Sequence, residues 1–398
     1  MLPKAKNILL IEPKYPIHPR SRNHANFLPI GLLKIASYYR NNGSNIKLIR
    51  YDEGIECNFK PDIIFVTSLF TYWCEYVKES VEWAKQFDAP IIVGGIYASL
   101  MPDHCKDYTQ CDYIVQGVID EVEDLIPAYD LVDVDYQIIH TTRGCIRKCS
   151  FCGTYCIEPK FTYKKSIKDI VSSEKIIFYD NNLLANPYIE NILDELISLK
   201  IKGKIKHVES QSGFDGRILL KNPLLAKKIK QINFKNIKIA WDGSIDDADN
   251  IEKQIGLLAD AGYNRRNISV FILYNHDLDY NECEKKRVKC FQWGVQVIDC
   301  RFKPLNQTFD YYNGMLRREQ TSEEYFIHDR WTDKQIKSFR RNCRRHNICI
   351  RQKTKFYSYT IEKKKIPKEK LAKYKTYDFK KASMLLDDCW DPAKVNYI

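Results

Sequence analysis

The densest chemistry in this chain lies in one short stretch, Gly144-Cys145-Ile146-Arg147-Lys148-Cys149-Ser150-Phe151-Cys152. Three cysteines separated by three and then two residues can wrap one face of an iron–sulfur cubane, one thiolate to each of three irons. The fourth iron is then left without a protein ligand, and an open metal position can take a substrate or cofactor. Cys156 follows closely, so a four-cysteine zinc site is the competing reading. Zinc knuckles usually pair two Cys-x-x-Cys units, whereas only one such spacing occurs here.

The remaining cysteines do not cluster. Of fourteen in all, Cys57, Cys74, Cys105, Cys111, Cys283, Cys290, Cys300 and Cys389 read as small apolar residues. Cys343, Cys349 and Cys389 offer ligands for an auxiliary cluster, at spacings that signal nothing further. No disulfide framework is expected, because the N-terminal apolar run Asn7–Ile11 is too short for a signal-peptide core and no stretch approaches a membrane span. A soluble, cytoplasmic protein is expected, with no membrane partner.

Composition sets the wider limits. The 398 residues suit two or three domains, and 44% hydrophobic residues can fill real cores. Net charge is +12. From Asn306 onward, 22 Lys and Arg stand against 12 Asp and Glu, so nearly all the excess is C-terminal. That balance suits nucleic acid or another anionic partner, and equally a solvated surface.

Three parts are expected to position these groups. Residues 1–130 alternate apolar β-rich runs (Asn7–Glu12, Ile46–Tyr51, Ile63–Thr67, Ile91–Val93, Tyr113–Val115) with helical segments Pro29–Asn41, Tyr76–Phe87 and Met101–Tyr108. Continuous apolar strands between helices predict a parallel, Rossmann-like α/β sheet covered on both faces. Residues 131–305 repeat a strand–helix beat six times. Its strands are Gln137–Thr141, Lys175–Tyr179, Lys206–Ser210, Asn236–Ala240, Ile268–Leu273 and Val295–Phe302. Helices Ser166–Ser172, Pro187–Leu199, Pro223–Ile232, Ala248–Ala261 and Asn281–Trp293 lie between them. A partial (β/α)6 TIM-type barrel follows, with chemistry at the carboxyl ends of its strands. Residues 306–398 form a basic C-terminal extension in which Asp333–His346 reads as a helix.

Cys-x-x-x-Cys-x-x-Cys with an aromatic before the last cysteine, placed after the first strand of a βα barrel, resembles the radical S-adenosylmethionine superfamily. The resemblance covers roughly residues 135–305 and implies a [4Fe-4S] cluster on Cys145, Cys149 and Cys152. The amino and carboxylate groups of S-adenosylmethionine would bind the open iron. One electron would cleave the cofactor to methionine and a 5′-deoxyadenosyl radical, while the protein aims the radical and excludes water. The resemblance carries further residues into cofactor binding. Phe151 would pack near the adenine. Asp180 and Asn181, in Tyr179-Asp180-Asn181-Asn182, stand where the family binds the methionine amino group. Ser210 and Gln211 would reach the ribose or carboxylate, and Asp242 the ribose hydroxyls or substrate. Arg301 and Lys303 would face an anionic group. Loop chemistry alone also favours such residues at these ends.

The first part resembles the cobalamin-binding domain that precedes the barrel in one subclass. The residues concerned are Pro29-Ile30-Gly31-Leu32, Thr67-Ser68-Leu69, Val93-Gly94-Gly95-Ile96-Tyr97-Ala98-Ser99 and Asp112-Tyr113-Ile114-Val115-Gln116-Gly117. In that family Thr67, Ser68, Gly94, Gly95 and Gly117 would line the slot for the cobalamin tail. The Asp-x-His-x-x-Gly motif whose histidine ligates cobalt is absent. His18 and His24 occur in other contexts and read as surface residues.

The resemblance implies a transferase that modifies an unactivated carbon, by methylation if cobalamin binds. A flavodoxin- or ferredoxin-like protein would serve as electron donor. The alternatives are a radical modification without cobalamin, including one acting on nucleic acid, and a nucleic-acid-binding protein whose cluster does not turn over. Arg340-Arg341, Arg344-Arg345 and Lys363 to Lys365, with Tyr357, Tyr359, Tyr374 and Tyr377, would supply that protein's phosphate contacts and stacking. Methylthiolation is disfavoured, since the N-terminal cysteines lack a second three-cysteine cluster.

Overall fold

The computed structural model describes residues 2–17, 27–50 and 59–352. His18, His24, Cys57, Cys389, Lys363 to Lys365 and the four tyrosines just named lie outside the described residues. Contacts gather the chain into two compact units. The first comprises Met1–Tyr163, Ile167–Ile177 and Pro304–Asp310; the second comprises Lys164–Ser166, Phe178–Lys303 and Tyr311–Ile398.

The first unit is built on a parallel sheet of order β2-β1-β3-β4-β5. Its strands are β1 (Asn7–Glu12), β2 (Asn45–Arg50), β3 (Ile63–Ser68), β4 (Ile91–Gly95) and β5 (Tyr113–Val115). The helices between them are α1 (Ile30–Asn41), α2 (Cys74–Ala84), α3 (Ile96–Leu100) and α4 (Pro102–Thr109), and α5 (Asp120–Glu123) follows β5. Alternate residues of the apolar strands go to opposite faces. Ile8, Leu10, Ile63 and Phe65 pack on Leu32, Ile35 and Tyr39 of α1. Leu9, Ile11, Ile64 and Val66 pack on Val77 and Val81 of α2 and Tyr97 of α3. This double burial explains why the strands read as unbroken apolar runs. The chain reverses direction across the sheet between β1 and β3, so the carboxyl edge there is the crevice where open α/β sheets bind ligands.

The first unit continues through β6 (Gln137–Ile139), β7 (Thr142–Arg143), α6 (Thr154–Ile157) and β8 (Thr162–Tyr163), and β6 pairs with β9 (Lys175–Phe178). The helix expected over Ser166–Ser172 does not form. Gln137 donates to the carbonyl of Ile170 at 2.5 Å and accepts from the amide of Ser172 at 2.9 Å. Those two bonds hold a turn, and so short a segment gains little from an isolated helix.

The second unit continues the beat with α7 (Ile189–Ile201), β10 (His207–Ser210), α8 (Gly216–Lys221), α9 (Leu224–Ile232), β11 (Ile237–Ala240) and α10 (Ala248–Asp260). It ends with β12 (Ile268–Tyr274), α11 (Tyr280–Gln292), β13 (Gln296–Arg301) and α12 (Asp333–Gln352). All six strands expected after residue 131 are present. Parallel ladders join β11, β12 and β13, and isolated bridges at Glu209–Lys235 and Phe214–Ile239 link the neighbourhood of β10 to that of β11. In β12, Ile268, Val270, Ile272 and Tyr274 are buried, while Ser269, Phe271 and Leu273 on the other face are partly open. One face is therefore the more deeply packed of the two. Helix α12 runs six residues beyond its expected end at His346, because Cys349 and Ile350 keep its buried stripe going. Among the described residues, no helix is long and apolar enough to cross a membrane.

Candidate functional sites in each unit

In the first unit the cysteine stretch is an excursion closed at its neck. Arg143 pairs with Thr162 and Thr142 with Tyr163 in a short antiparallel ladder. Gly144 turns the chain into the loop at φ +72°, and a Cβ there would lie 2.6 Å from the carbonyl of Lys160. Only glycine meets both demands. Glu158 returns from the far side to accept the Gly144 amide at 2.6 Å. Within the loop Cys145, Cys149 and Cys152 are partly exposed, and Cys156 is exposed on α6. The amide of Arg147 donates to Cys145 Sγ at 3.3 Å. The amide of Cys152 donates to the carbonyl of Cys149 at 3.0 Å and fixes the inner turn.

Each iron of a cubane takes one thiolate, so three such sulfurs stand apart, whereas tetrahedral zinc draws four ligands to one point. Among the described residues no three His, Cys, Asp or Glu are gathered as for a single ion. The three cysteines share one partly exposed loop, with a backbone amide directed at the Cys145 sulfur. Phe151 lies in the same loop, partly buried.

The carboxyl edge of the five-stranded sheet belongs to the same unit. The Ser68 hydroxyl donates to the carbonyl of Gly94 at 2.8 Å and accepts the amide of Ala98 at 3.1 Å. A Cβ on Gly95, whose φ is +106°, would lie 2.2 Å from the carbonyl oxygen of Ser68. The Gly117 amide donates to Ser99 at 2.9 Å, and Thr67 accepts from Tyr15 through its carbonyl at 2.9 Å. Thr67, Ser68, Gly94, Gly95 and Gly117 are thus brought to one edge, yet contacts within the chain already account for the serine and for Gly95. What the edge adds is aromatic. Phe70 stacks on Tyr72 at 5.1 Å and meets Trp73 at 5.0 Å, and Trp73 stacks on Tyr15 at 5.2 Å. These rings follow the carboxyl ends of β1 and β3.

In the second unit, polar side chains line up at the ends of β9, β10 and β11. Asp180 is completely buried, whereas Asn181 points outward and is exposed. Asn182 is buried; its Nδ2 donates to Asp215 at 3.0 Å and its Oδ1 has no hydrogen-bond partner. A buried acceptor left open is expensive, so a donor from a ligand fits there. Asp215 caps α8 by accepting the amide of Arg217 at 3.1 Å and holds the Arg217 guanidinium at 2.9 Å. Asp242 reaches solvent, and the protein crowded about it raises its pKa, with Arg217 and Lys286 pulling the other way. Lys286 is fully buried beneath that turn and donates to the carbonyls of Trp241 at 2.8 Å and Gly243 at 2.9 Å. Burial lowers its pKa. The Ser210 hydroxyl donates to the Gly213 carbonyl at 2.8 Å, and the Gln211 carbonyl accepts from Lys238 at 3.2 Å.

Asn182, Asp215, Arg217 and Lys286 were not singled out in the sequence. Asp215 at the start of α8 carried a cap signal, but Lys286 looked like one more helix lysine. The guanidinium of Arg301 lies 4.4 Å from the ring of Tyr312 and 5.1 Å from that of Tyr325. Cys343 and Cys349 are buried in the second unit, and burial pushes the Cys343 thiol well up, which disfavours the thiolate a cluster needs.

The five-stranded parallel sheet followed by a second run of parallel βα units gives a fold similar to that of solved radical S-adenosylmethionine methyltransferase structures. Among solved structures with this fold is the methyltransferase TsrM from Kitasatospora setae with cobalamin and a [4Fe-4S] cluster bound. It has a TM-score of 0.58 at 13% identity, over 76% of this chain and 77% of that one. A second structure, of TsrM with tryptophan substrate and the analogue aza-SAM, has a TM-score of 0.54 at 13% identity, over 75% and 73%. No family model matches the chain, and no curated protein matches it in sequence.

Proposed function

We propose that this chain is a radical S-adenosylmethionine enzyme that methylates an unactivated carbon of its substrate. The observation that carries the reading is the closed loop presenting Cys145, Cys149 and Cys152 on a TsrM-like fold. When bound, a [4Fe-4S] cluster supplies the electron that splits S-adenosylmethionine. The residues of this chain bind and orient. Cys145, Cys149 and Cys152 hold the cluster, with the Arg147 amide on the first sulfur. Asp180 and Asn182 offer acceptors to an ammonium group, and Asp242, Ser210 and Gln211 offer polar contacts to a ribose or carboxylate. Phe151 supplies an aromatic face for a base. Asn181, exposed on the same turn, offers its amide to the cofactor.

Cobalamin enters as the proposed methyl carrier because the similar TsrM structure binds it. Gly95 and Ser68 are engaged by the chain's own atoms. The aromatic group at Phe70, Tyr72 and Trp73 supplies a flat apolar face at the crevice. A flavodoxin- or ferredoxin-type protein is the proposed electron donor, and the cytoplasm the proposed compartment. A second reading, a nucleic-acid substrate or partner, is favoured by α12. Lys334, Arg341, Arg344 and Arg351 are exposed on it, and its one acid, Asp333, is buried against Lys337.

The test is anaerobic reconstitution of the full chain with iron and sulfide, followed by S-adenosylmethionine, a low-potential reductant and cobalamin. Iron and labile sulfide are counted, and 5′-deoxyadenosine and S-adenosylhomocysteine are measured. Either nucleoside, lost in the Cys145→Ala/Cys149→Ala/Cys152→Ala variant, supports the proposal. A chain that binds iron but consumes no S-adenosylmethionine under any reductant defeats it. A cobalamin absorption spectrum that survives gel filtration supports the methyl carrier, and its absence removes it.

A further inference from the structure

A chain of alternating charges runs through the first unit to the neck of the cysteine loop. Lys34 of α1 donates through Nζ to Glu123 Oε2 at 2.8 Å and to the Glu123 carbonyl at 2.5 Å. Glu123, at the end of α5, accepts Arg143 Nε at 2.7 Å on one oxygen and Nη2 at 2.9 Å on the other. The remaining arm of the same guanidinium, Nη1, donates to Glu158 Oε1 at 3.0 Å. The second oxygen of Glu158 holds the Gly144 amide, one residue before Cys145.

These side chains are between 8% and 19% exposed, which separates them from ordinary surface pairs. Burial resists ionisation of Glu123, but Arg143 and Lys34 outweigh it and hold its pKa below the usual carboxylate range. The fork geometry uses every arm of Arg143, something a lysine cannot reproduce.

We propose that Lys34, Glu123, Arg143 and Glu158 form a buried brace that closes the neck of the cysteine loop against α1 and α5. The brace thereby sets how firmly the loop keeps its cluster. The inference rests on the reading of the loop as a cluster site. The physical reason is entropic: Arg143 and Glu158 stand fifteen positions apart, and a loop closed before metal arrives has less freedom left to lose when three thiolates are fixed. Glu158 and Arg143 are positioning residues, since neither needs to touch the cluster.

The experiment uses the full chain as Glu158→Gln and Arg143→Lys, each nearly matched in size to the native side chain. In the metal-free protein, hydrogen exchange is followed peptide by peptide. In the reconstituted protein, cluster loss to a chelator is followed by visible absorbance and by the electron-paramagnetic signal of the reduced cluster. Both variants are expected to speed exchange across residues 145–157 by at least about tenfold, the factor that losing one charge-assisted hydrogen bond corresponds to. Cluster loss is expected to speed by a similar factor, with exchange in β1, β3 and β4 unchanged. Acceleration spread equally over the five-stranded sheet makes the four residues general stabilisers and overturns the proposal. Native exchange and native cluster retention in either variant also overturn it. If the wild-type chain takes up no iron, the cluster reading fails, while exchange in the metal-free chain still decides whether the brace closes the loop.

Discussion

At the scale of single residues, the informative side chains are those buried with their polar atoms directed at the strand-end turns. Lys286 is the clearest. Its ammonium holds two carbonyls flanking Asp242 and lies 5.2 Å from the centre of the Trp241 ring. Lys286→Met keeps the stem and removes both donors. The expected loss is about 2 kcal/mol in urea unfolding, because two buried carbonyls are left open while the desolvation of the ammonium is relieved. S-adenosylmethionine binding, measured calorimetrically on the reconstituted protein, is expected to weaken about tenfold as the Asp242 turn loosens. Unchanged affinity with reduced stability would confine Lys286 to folding. None of this was legible in the sequence, where Lys286 sits among Glu284, Lys285 and Arg287 as one of several charged residues. A helical lysine declares its burial only once the helix has a face and a neighbour.

At the scale of elements, α12 shows how a basic segment doubles as a structural one. Ile336, Phe339, Cys343, His346 and Ile350 form its buried stripe, and Phe339 packs on Tyr274 at 4.9 Å. His346 is fully buried, and its Nε2 donates to the carbonyl of Val295 at 2.7 Å. Burial, reinforced by Arg287, pushes its pKa down to about 3. A folded-state pKa below the unfolded value means that the unfolded chain binds the extra proton. Stability contributed by this group is therefore intact above about pH 6.5 and falls as pH drops toward 3, by roughly 1.4 kcal/mol per unit. His346→Gln keeps a donor without the titration, so its unfolding free energy is expected to lack that slope. Denaturant melts between pH 7 and pH 4.5 check this, and parallel slopes in the two proteins would refute it. The helix was readable from Asp333 to His346. Its last turn was not, since Cys349 and Ile350 gain meaning only from what lies across from them.

At the scale of the whole molecule, a net charge of +12 and the exposed cations of α12 make association with polyanions measurable. If the nucleic-acid reading holds, anisotropy of a labelled single-stranded oligonucleotide is expected to give log K falling with log salt at about 0.7 per phosphate engaged. Arg341→Glu/Arg344→Glu is expected to reduce that slope by about 1 to 2. A slope near zero leaves α12 as a solvated face. Electrostatics of this kind speaks of encounter and partner class, and leaves the chemistry at the cysteine loop untouched.

The sequence by itself determined the α/β class, the longer strands and helices, and the three clustered cysteines. Each of these is carried by local pattern: apolar runs of strand length, helical periodicity, and ligands within eight positions of one another. Ser166–Ser172 failed because a distant side chain, Gln137, claimed its backbone. Tertiary structure alone decided the polar row at Asn182, Asp215 and Arg217, the turn of Arg301 toward two tyrosines, and the brace joining Lys34 to Glu158 across more than a hundred positions. Those partners are far apart along the chain, so no local propensity encodes them. Within each unit they meet only through tertiary packing, because burial makes an unmatched charge too costly to leave alone.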